Sequence, residues 1–236
     1  MANRPHSTQL ALDLPHRTAT GREDFLVSPA NEAAVAAIDR WPDWPSPVLV
    51  LVGPAGSGKS HLADVWRTRS AAALIEAAGL DRDRLPSLMR TGAVVVEDAP
   101  GDALDEVALF HLINMARESK GAVLITSLAF PAQWDIALPD LRSRLKAAQV
   151  AQLGDPDDAL LRGVLVKLFA DRQLNVGETV ISYMIMRMER SLDTARRLVA
   201  AIDARALAQR AEITRSFVAR VMQDEFEPGL FDDDDL

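Results

Sequence analysis

The chain predicts an α/β fold, in which a five-stranded parallel sheet flanked by helices is followed by a small all-helical domain. Three observations carry this reading. Short apolar runs alternate with helical patterns between residues 48 and 152, as expected of βα units whose sheet is covered on both faces. The octapeptide Gly53-Pro54-Ala55-Gly56-Ser57-Gly58-Lys59-Ser60 lies between the first apolar run and the first helical stretch. Beyond Gly154 the strand signal stops and helical spacing continues alone.

Residues 1–22, with Pro5, Pro15 and Gly21, predict an arm that holds too few apolar residues to offset the entropy of ordering. The core is expected over residues 23–154. A helix is expected at 31–41, with Ala33, Ala34, Val35, Ala37 and Ile38 on its apolar side, and Pro42, Pro45 and Pro47 break it. Strands are expected at 48–52, 72–77, 93–96, 123–126 and 147–153, with helices at 60–69, 81–90, 103–119 and 139–144 between them. The helical domain is expected over 155–226. Its first helix is opened by Asp155 as N-cap and Pro156 at the first helical position, followed by Leu160, Leu161, Val164, Leu165 and Leu168. Further helices fit 178–188, 191–209 and 215–224, with Ser191 and Thr214 as N-caps. Residues 227–236 form an acidic tail containing Asp232-Asp233-Asp234-Asp235.

The composition narrows the functional classes. The 236 residues are 48% hydrophobic, enough for a substantial core, and carry a net charge of −8. That acidity argues against broad attraction to duplex DNA, although a local basic face is compatible with it. Without cysteines the chain has no disulfide, thiolate metal site or thiol nucleophile. The histidines at 6, 16, 61 and 111 show no metal-ligand spacing. No apolar run approaches the roughly 18 residues of a membrane span, and no signal-peptide segment is evident, so a cytoplasmic protein is expected.

The octapeptide matches the phosphate-loop pattern G-x-x-x-x-G-K-S, and the apolar run before it and helix after it are the context this motif needs. Its glycines let successive N–H groups face a phosphate, Lys59 reaches the β- and γ-phosphates, and the Ser60 hydroxyl helps hold Mg²⁺. The run at 93–96 ends in Glu97 and Asp98. Glu97 is assigned to the metal through water and Asp98 to polarising the attacking water, the alternative being two acids that cap the next helix. Thr126 and Ser127 end the next strand and either contact the γ-phosphate or form a turn. Arg142 and Arg144 precede the fifth strand, either as surface arginines or as donors to a nucleotide held by a neighbouring subunit.

Together these residues resemble the DnaA family of AAA+ ATPases over roughly residues 22–225. Asp24-Phe25-Leu26-Val27 followed by Asn31 resembles the family's segment beside the adenine, which implies nucleotide contacts for Phe25 and Val27. Ser60-His61-Leu62 resembles the run that follows the family's phosphate-loop lysine, placing His61 at the site. Phe110-His111-Leu112-Ile113-Asn114 and Leu124-Ile125-Thr126-Ser127 resemble the family's F-H-x-x-N helix and sensor-1 strand. Leu141-Arg142-Ser143-Arg144-Leu145 resembles its R-L-x-S-R-F box, which implies that Arg144 is an arginine finger. The sequence departs from the family pattern at Leu128, where an aspartate is usual, at Glu97, and at Asp193 in place of the sensor-2 arginine, with Arg196 or Arg197 one turn on as substitutes.

No helix-turn-helix domain follows the helical domain in this sequence, which likens the chain to family members of the Hda type rather than to initiators. Such proteins act with the replicative sliding clamp to stimulate ATP hydrolysis by DnaA. Gln9-Leu10-Ala11-Leu12-Asp13-Leu14 resembles their Q-L-x-L-x-L clamp motif, with Gln9, Leu10, Leu12 and Leu14 as the contacts. The implied ligands are ADP or ATP with Mg²⁺. The implied partners are the sliding clamp, DnaA and, where the arginine is offered between like subunits, another copy of this chain. The rival readings are an autonomous AAA+ ATPase resembling a helicase loader and a nucleotide-stabilised adaptor without catalysis.

Overall fold

A computed structural model describes residues 25–226. Helix α1 (Glu32–Asp39) leads into strand β1 (Val48–Val52), helix α2 (Lys59–Ser70) and strand β2 (Ala73–Glu76). The short helix α3 (Leu85–Leu88), strand β3 (Ala93–Ala99), helix α4 (Glu106–Ser119) and strand β4 (Ala122–Ser127) follow, then α5 (Pro139–Lys146) and β5 (Gln149–Gln152). Four helices complete the described chain: α6 (Asp158–Asp171), α7 (Glu178–Arg187), α8 (Leu192–Gln209) and α9 (Arg215–Phe226).

The strands form one parallel sheet in the order β2-β3-β4-β1-β5. Every residue of β1 is buried, because successive side chains point to opposite faces and both faces are covered. Val48, Val50 and Val52 pack with Leu109, Leu112 and Ile113 of α4 and Leu141 and Leu145 of α5. Leu49 and Leu51 pack with Val35 and Ile38 of α1 and Leu62, Val65 and Trp66 of α2. The last four helices bury a separate cluster containing Leu161, Leu165, Phe169, Met184, Leu198, Ile202 and Val218. No helix among the described residues is long and apolar enough to cross a membrane.

The strands lie where the apolar runs place them, but three expectations change. The expected helix at 81–90 is broken: Asp81 accepts the Arg84 amide hydrogen at 3.0 Å and Pro86 falls in the first turn, so only Leu85–Leu88 is α-helical between 3₁₀ turns. The α6 N-cap is Asp157 rather than Asp155, with its carboxylate accepting the Leu160 amide hydrogen at 2.7 Å. Strand β3 continues through Glu97 and Asp98, with a register irregularity between Val96 and Ala99, so the two acids stand within the strand's end. Ser191 and Thr214 do cap their helices, accepting from the Thr194 and Phe217 amides at 3.1 and 3.2 Å.

A tryptophan cluster closes the α1–β1 connection over α2. Trp66 is 0% exposed, stacks on Trp44 at 5.1 Å and meets Trp41 edge-on at 6.0 Å, while the Trp44 indole donates to the Ala37 carbonyl at 2.9 Å. Trp66→Ala should therefore cost about 3–5 kcal/mol of unfolding free energy, read as a lower denaturant midpoint with an unchanged slope.

Candidate functional site

The phosphate loop leaves the buried end of β1 and is tied to β4 at once, the Gly53 amide donating to the Ser127 carbonyl at 3.2 Å. Gly56 and Gly58 have φ of 70° and 98°, a left-handed backbone that residues with a Cβ rarely adopt. Space excludes a Cβ at Gly56 as well, since it would lie 2.0 Å from the Ser191 hydroxyl oxygen. The Gly56 carbonyl accepts the Leu192 amide hydrogen at 2.8 Å, so the first turn of α8 is fastened to the loop. Pro54 and Ala55 are exposed at its crest, whereas Ser57 is buried with its hydroxyl unpartnered among the described residues.

Lys59 is only 7% exposed, and its ammonium donates to the Gly53 and Pro54 carbonyls at 2.8 and 2.9 Å. Burial pulls its pKa down, and the negative charge of Asp98 opposes that shift. Ser60, one residue on, hydrogen-bonds Glu97. Burial raises the Glu97 pKa; the Ser60 hydrogen bond lowers it, while the charges of Asp98, Asp64 and Glu76 raise it further. Asp98 is exposed and takes a φ of 57°, and its amide donates to the Thr126 hydroxyl at 3.0 Å. β3 thus ends with its two acids displayed next to the loop, Glu97 toward Ser60 and Asp98 within the electrostatic reach of Lys59.

The donor set suits Mg²⁺. Among the described residues no group of three or more His, Cys, Asp or Glu could enclose a metal. Mg²⁺ characteristically binds through one or two carboxylates and substrate phosphates instead. Ser60 and Glu97 would hold the ion, which when bound would neutralise charge on the phosphates. Lys59 and the loop amides would position those phosphates whether or not the ion is present.

A narrow cavity of about 50 Å³ opens beside the loop, at the seam between the sheet domain and the last four helices. Phe25, Leu26, Asn31 and His61 form one wall, with His61 stacked on Phe25 at 5.4 Å and an interplanar angle of 18°. The Asn31 side chain shapes that wall, accepting the Ser28 amide hydrogen and donating to the Leu26 carbonyl, both at 2.9 Å. The opposite wall comes from α6 and α8 and includes Leu160, Val164, Lys167, Leu192 and Arg196. Burial lowers the Arg196 pKa, with the Asp193 charge opposing the shift.

Two assigned contacts change. Val27 does not line the cavity and is 49% exposed, because the Ser28–Asn31 turn directs Phe25 and Leu26 inward instead. The Ser127 hydroxyl donates to the Ala129 carbonyl at 2.8 Å and accepts the Ala129 amide hydrogen at 3.1 Å, so it closes its own turn rather than pointing at the loop. Thr126, immediately before it, orients Asp98. The α6 wall is not among the expected contacts; its half-buried Val164 and Leu168 are the available signal, since both lie off the helix's fully buried face. Asp193, at the sensor-2 position, pairs with Arg197 at 3.2 Å, and Arg196 faces the cavity instead. Leu128 is 66% exposed.

Arg144 lies at the far side of the sheet. The Leu49↔Gln149 register puts the start of β5 beside the start of β1, whereas the phosphate loop follows the end of β1. The separation along the strand is roughly 15 Å. Helix α5 is held at its start by Glu106, whose carboxylate accepts the Ala137 and Leu138 amide hydrogens at 2.9 and 2.7 Å, and its last turn carries Arg144 toward the start of β5. Arg144 is half-buried, and its guanidinium makes no hydrogen bond or ion pair with another described residue. The segment 9–14 lies outside the described residues.

The Glu97 geometry carries a pH prediction. Its folded-state pKa lies above the ordinary value of 4.5, so the half-buried carboxylate destabilises the fold increasingly as pH rises from there through the raised value. Glu97→Gln should raise the melting temperature of the ligand-free protein at pH 7–8, with little change near pH 4. The same variant should lose the part of nucleotide-induced stabilisation that EDTA removes from the native protein.

Comparison with known proteins places this architecture. No family model matches the chain. An uncharacterised protein of Haemophilus influenzae is 26% identical over 192 residues, covering 76% of this chain and 83% of its own. Domain III of the Thermotoga maritima replication initiation protein DnaA superposes with a TM-score of 0.76 at 20% identity, covering 91% of this chain and all of the other. AMPPCP-bound DnaA from Aquifex aeolicus gives 0.64 at 15% identity, covering 89% of this chain and 73% of the other. A single-substitution variant of Thermotoga maritima RuvB gives 0.68 at 14% identity, over 86% of this chain and 71% of the other. The chain has the AAA+ phosphate-loop fold that DnaA domain III and RuvB share.

Proposed function

We propose that this protein is a nucleotide-binding AAA+ regulator of replication initiation, of the Hda type, which docks on the sliding clamp and stimulates ATP hydrolysis by DnaA. Nucleotide binding is supported by the loop at 53–60, its buried Lys59, the Ser60–Glu97 pair and the cavity between Phe25, His61 and Arg196. ADP or ATP would lie with its phosphates on the loop amides and its base in the seam, with Mg²⁺ between Ser60, Glu97 and the phosphates.

The observation that carries the regulatory reading is the position of Arg144. It stands at the opposite strand edge from the chain's own phosphate loop and has no carboxylate partner among the described residues. A guanidinium there serves a triphosphate on a neighbouring protein. In the transition state it neutralises charge gathering on the γ-phosphoryl oxygens as water attacks phosphorus and ADP departs. Hydrolysis of DnaA-bound ATP would switch the initiator off, and residues 9–14 would keep the regulator on clamps left by completed synthesis. Slow turnover in the chain's own site fits exposed Leu128 and the Asp193–Arg197 pair, which withhold the aspartate and arginine usual at those places.

The test is ATP hydrolysis by DnaA measured with and without this protein and DNA-loaded clamp. The native protein should accelerate hydrolysis. Arg144→Ala should lose that acceleration, an arginine finger being worth on the order of 10³-fold, while retaining nucleotide and clamp binding. Unchanged stimulation by the variant would remove the assignment. Deletion of residues 9–14 should abolish retention on immobilised clamp, and continued retention would exclude the arm as the tether.

A further inference from the structure

Most cations of the last four helices are matched by acids: Arg172 by Asp203 at 3.7 Å, Arg190 by Asp158 at 2.7 Å, and Arg162 by Glu178. Among the described residues Arg210 and Arg220 have no such ion pair, and neither do Arg187 and Arg215. Both stack on one aromatic ring, their guanidinium carbons lying 5.5 and 4.9 Å from the Tyr183 centroid, and neither has a carboxylate partner among the described residues. Tyr183 and Arg187 are one turn apart on α7, and Arg215 opens α9, so the cluster joins two helices. The two charges are no more than about 10 Å apart, within roughly one Debye length at physiological salt. Among the described residues of a protein of net charge −8, this pair of like charges has no carboxylate beside it.

Their chemistry narrows the ligand. A guanidinium held over a ring by its charge still has N–H groups to offer to phosphate oxygens. Met186 is 75% exposed on the same α7 turn, beside the half-buried Tyr183, and gives an apolar surface against which an unstacked base can rest. The last four helices have no strand, and so no sheet edge to align an extended acidic peptide. We infer that Tyr183, Met186, Arg187 and Arg215 form a binding surface for single-stranded nucleic acid, with the arginines on the phosphodiester backbone and Met186 against a base. This surface is independent of the nucleotide site and of Arg144.

The experiment is fluorescence anisotropy of a labelled mixed-sequence single-stranded DNA, titrated with the full chain across a range of salt. An Arg187→Gln/Arg215→Gln double variant is compared, and adenine-nucleotide binding is measured on both proteins as a control for folding. The native protein should bind the strand more tightly than a duplex of the same length. The double variant should weaken binding by roughly tenfold or more at low salt and lower the slope of log affinity against log salt by about 1.4, two phosphate contacts at about 0.7 each for single strands. Nucleotide affinity should be unchanged. The inference is overturned if the native protein shows no affinity for the strand, if the folded double variant binds it equally well, if duplex binds as tightly, or if only polyglutamate is bound in an Arg187- and Arg215-dependent way.

Discussion

One hydrogen bond, from the Leu192 amide to the Gly56 carbonyl, joins the two halves of the molecule at the place where phosphate chemistry is expected. It forms because Gly56 adopts a left-handed backbone and carries no Cβ, leaving the space that the Ser191 hydroxyl fills. Ser191 also caps α8, so the residue that begins the helix packs against the loop. The cavity between Phe25, His61 and Arg196 exists only while α8 holds this position. A ligand on the loop is thereby coupled to the orientation of the last four helices through this backbone hydrogen bond and the Ser191 and Leu192 side chains packed beside it.

Around that junction the sheet is a scaffold that separates two groups of candidate functional residues. Its C-terminal edge gathers the phosphate loop, Glu97, Asp98 and Thr126, because β1, β3 and β4 are neighbours in a parallel arrangement and end together. Its N-terminal edge carries Arg144 at the close of α5. In the proposed reading one edge holds a nucleotide and the other addresses a second on another molecule, so the two tasks do not compete for one surface. The burial of Lys59 and Glu97 fits the same division, since both groups sit in surroundings that favour their neutral forms and would be relieved by the opposite charges of a phosphate and a metal.

Much of this was legible in the residues. β1 is an unbroken Val/Leu run because both of its faces are buried, and the loop is recognisable because its geometry demands glycine at 56 and 58. The seam was legible only in part. Phe25 and His61, named through the family resemblance, line the cavity, but Val27 and Ser127 do not, since their directions depend on the hydrogen bonds of Asn31 and Ala129. The α6 wall eluded the pattern because Val164 and Leu168 read equally well as core or as pocket. The left-handed Asp98 follows from a register irregularity that no local spacing encodes. The place of Arg144 depends on the strand order, which is a property of the assembled sheet.

The most direct measurement is equilibrium binding of ADP and ATP to the purified chain, followed by calorimetry with and without Mg²⁺, for the native protein and for Lys59→Ala. Saturable binding by the native protein, strengthened by Mg²⁺ and lost in the folded variant, is the predicted result. No affinity for either nucleotide, or affinity indifferent to Lys59, would contradict the assignment of residues 53–60 as the site.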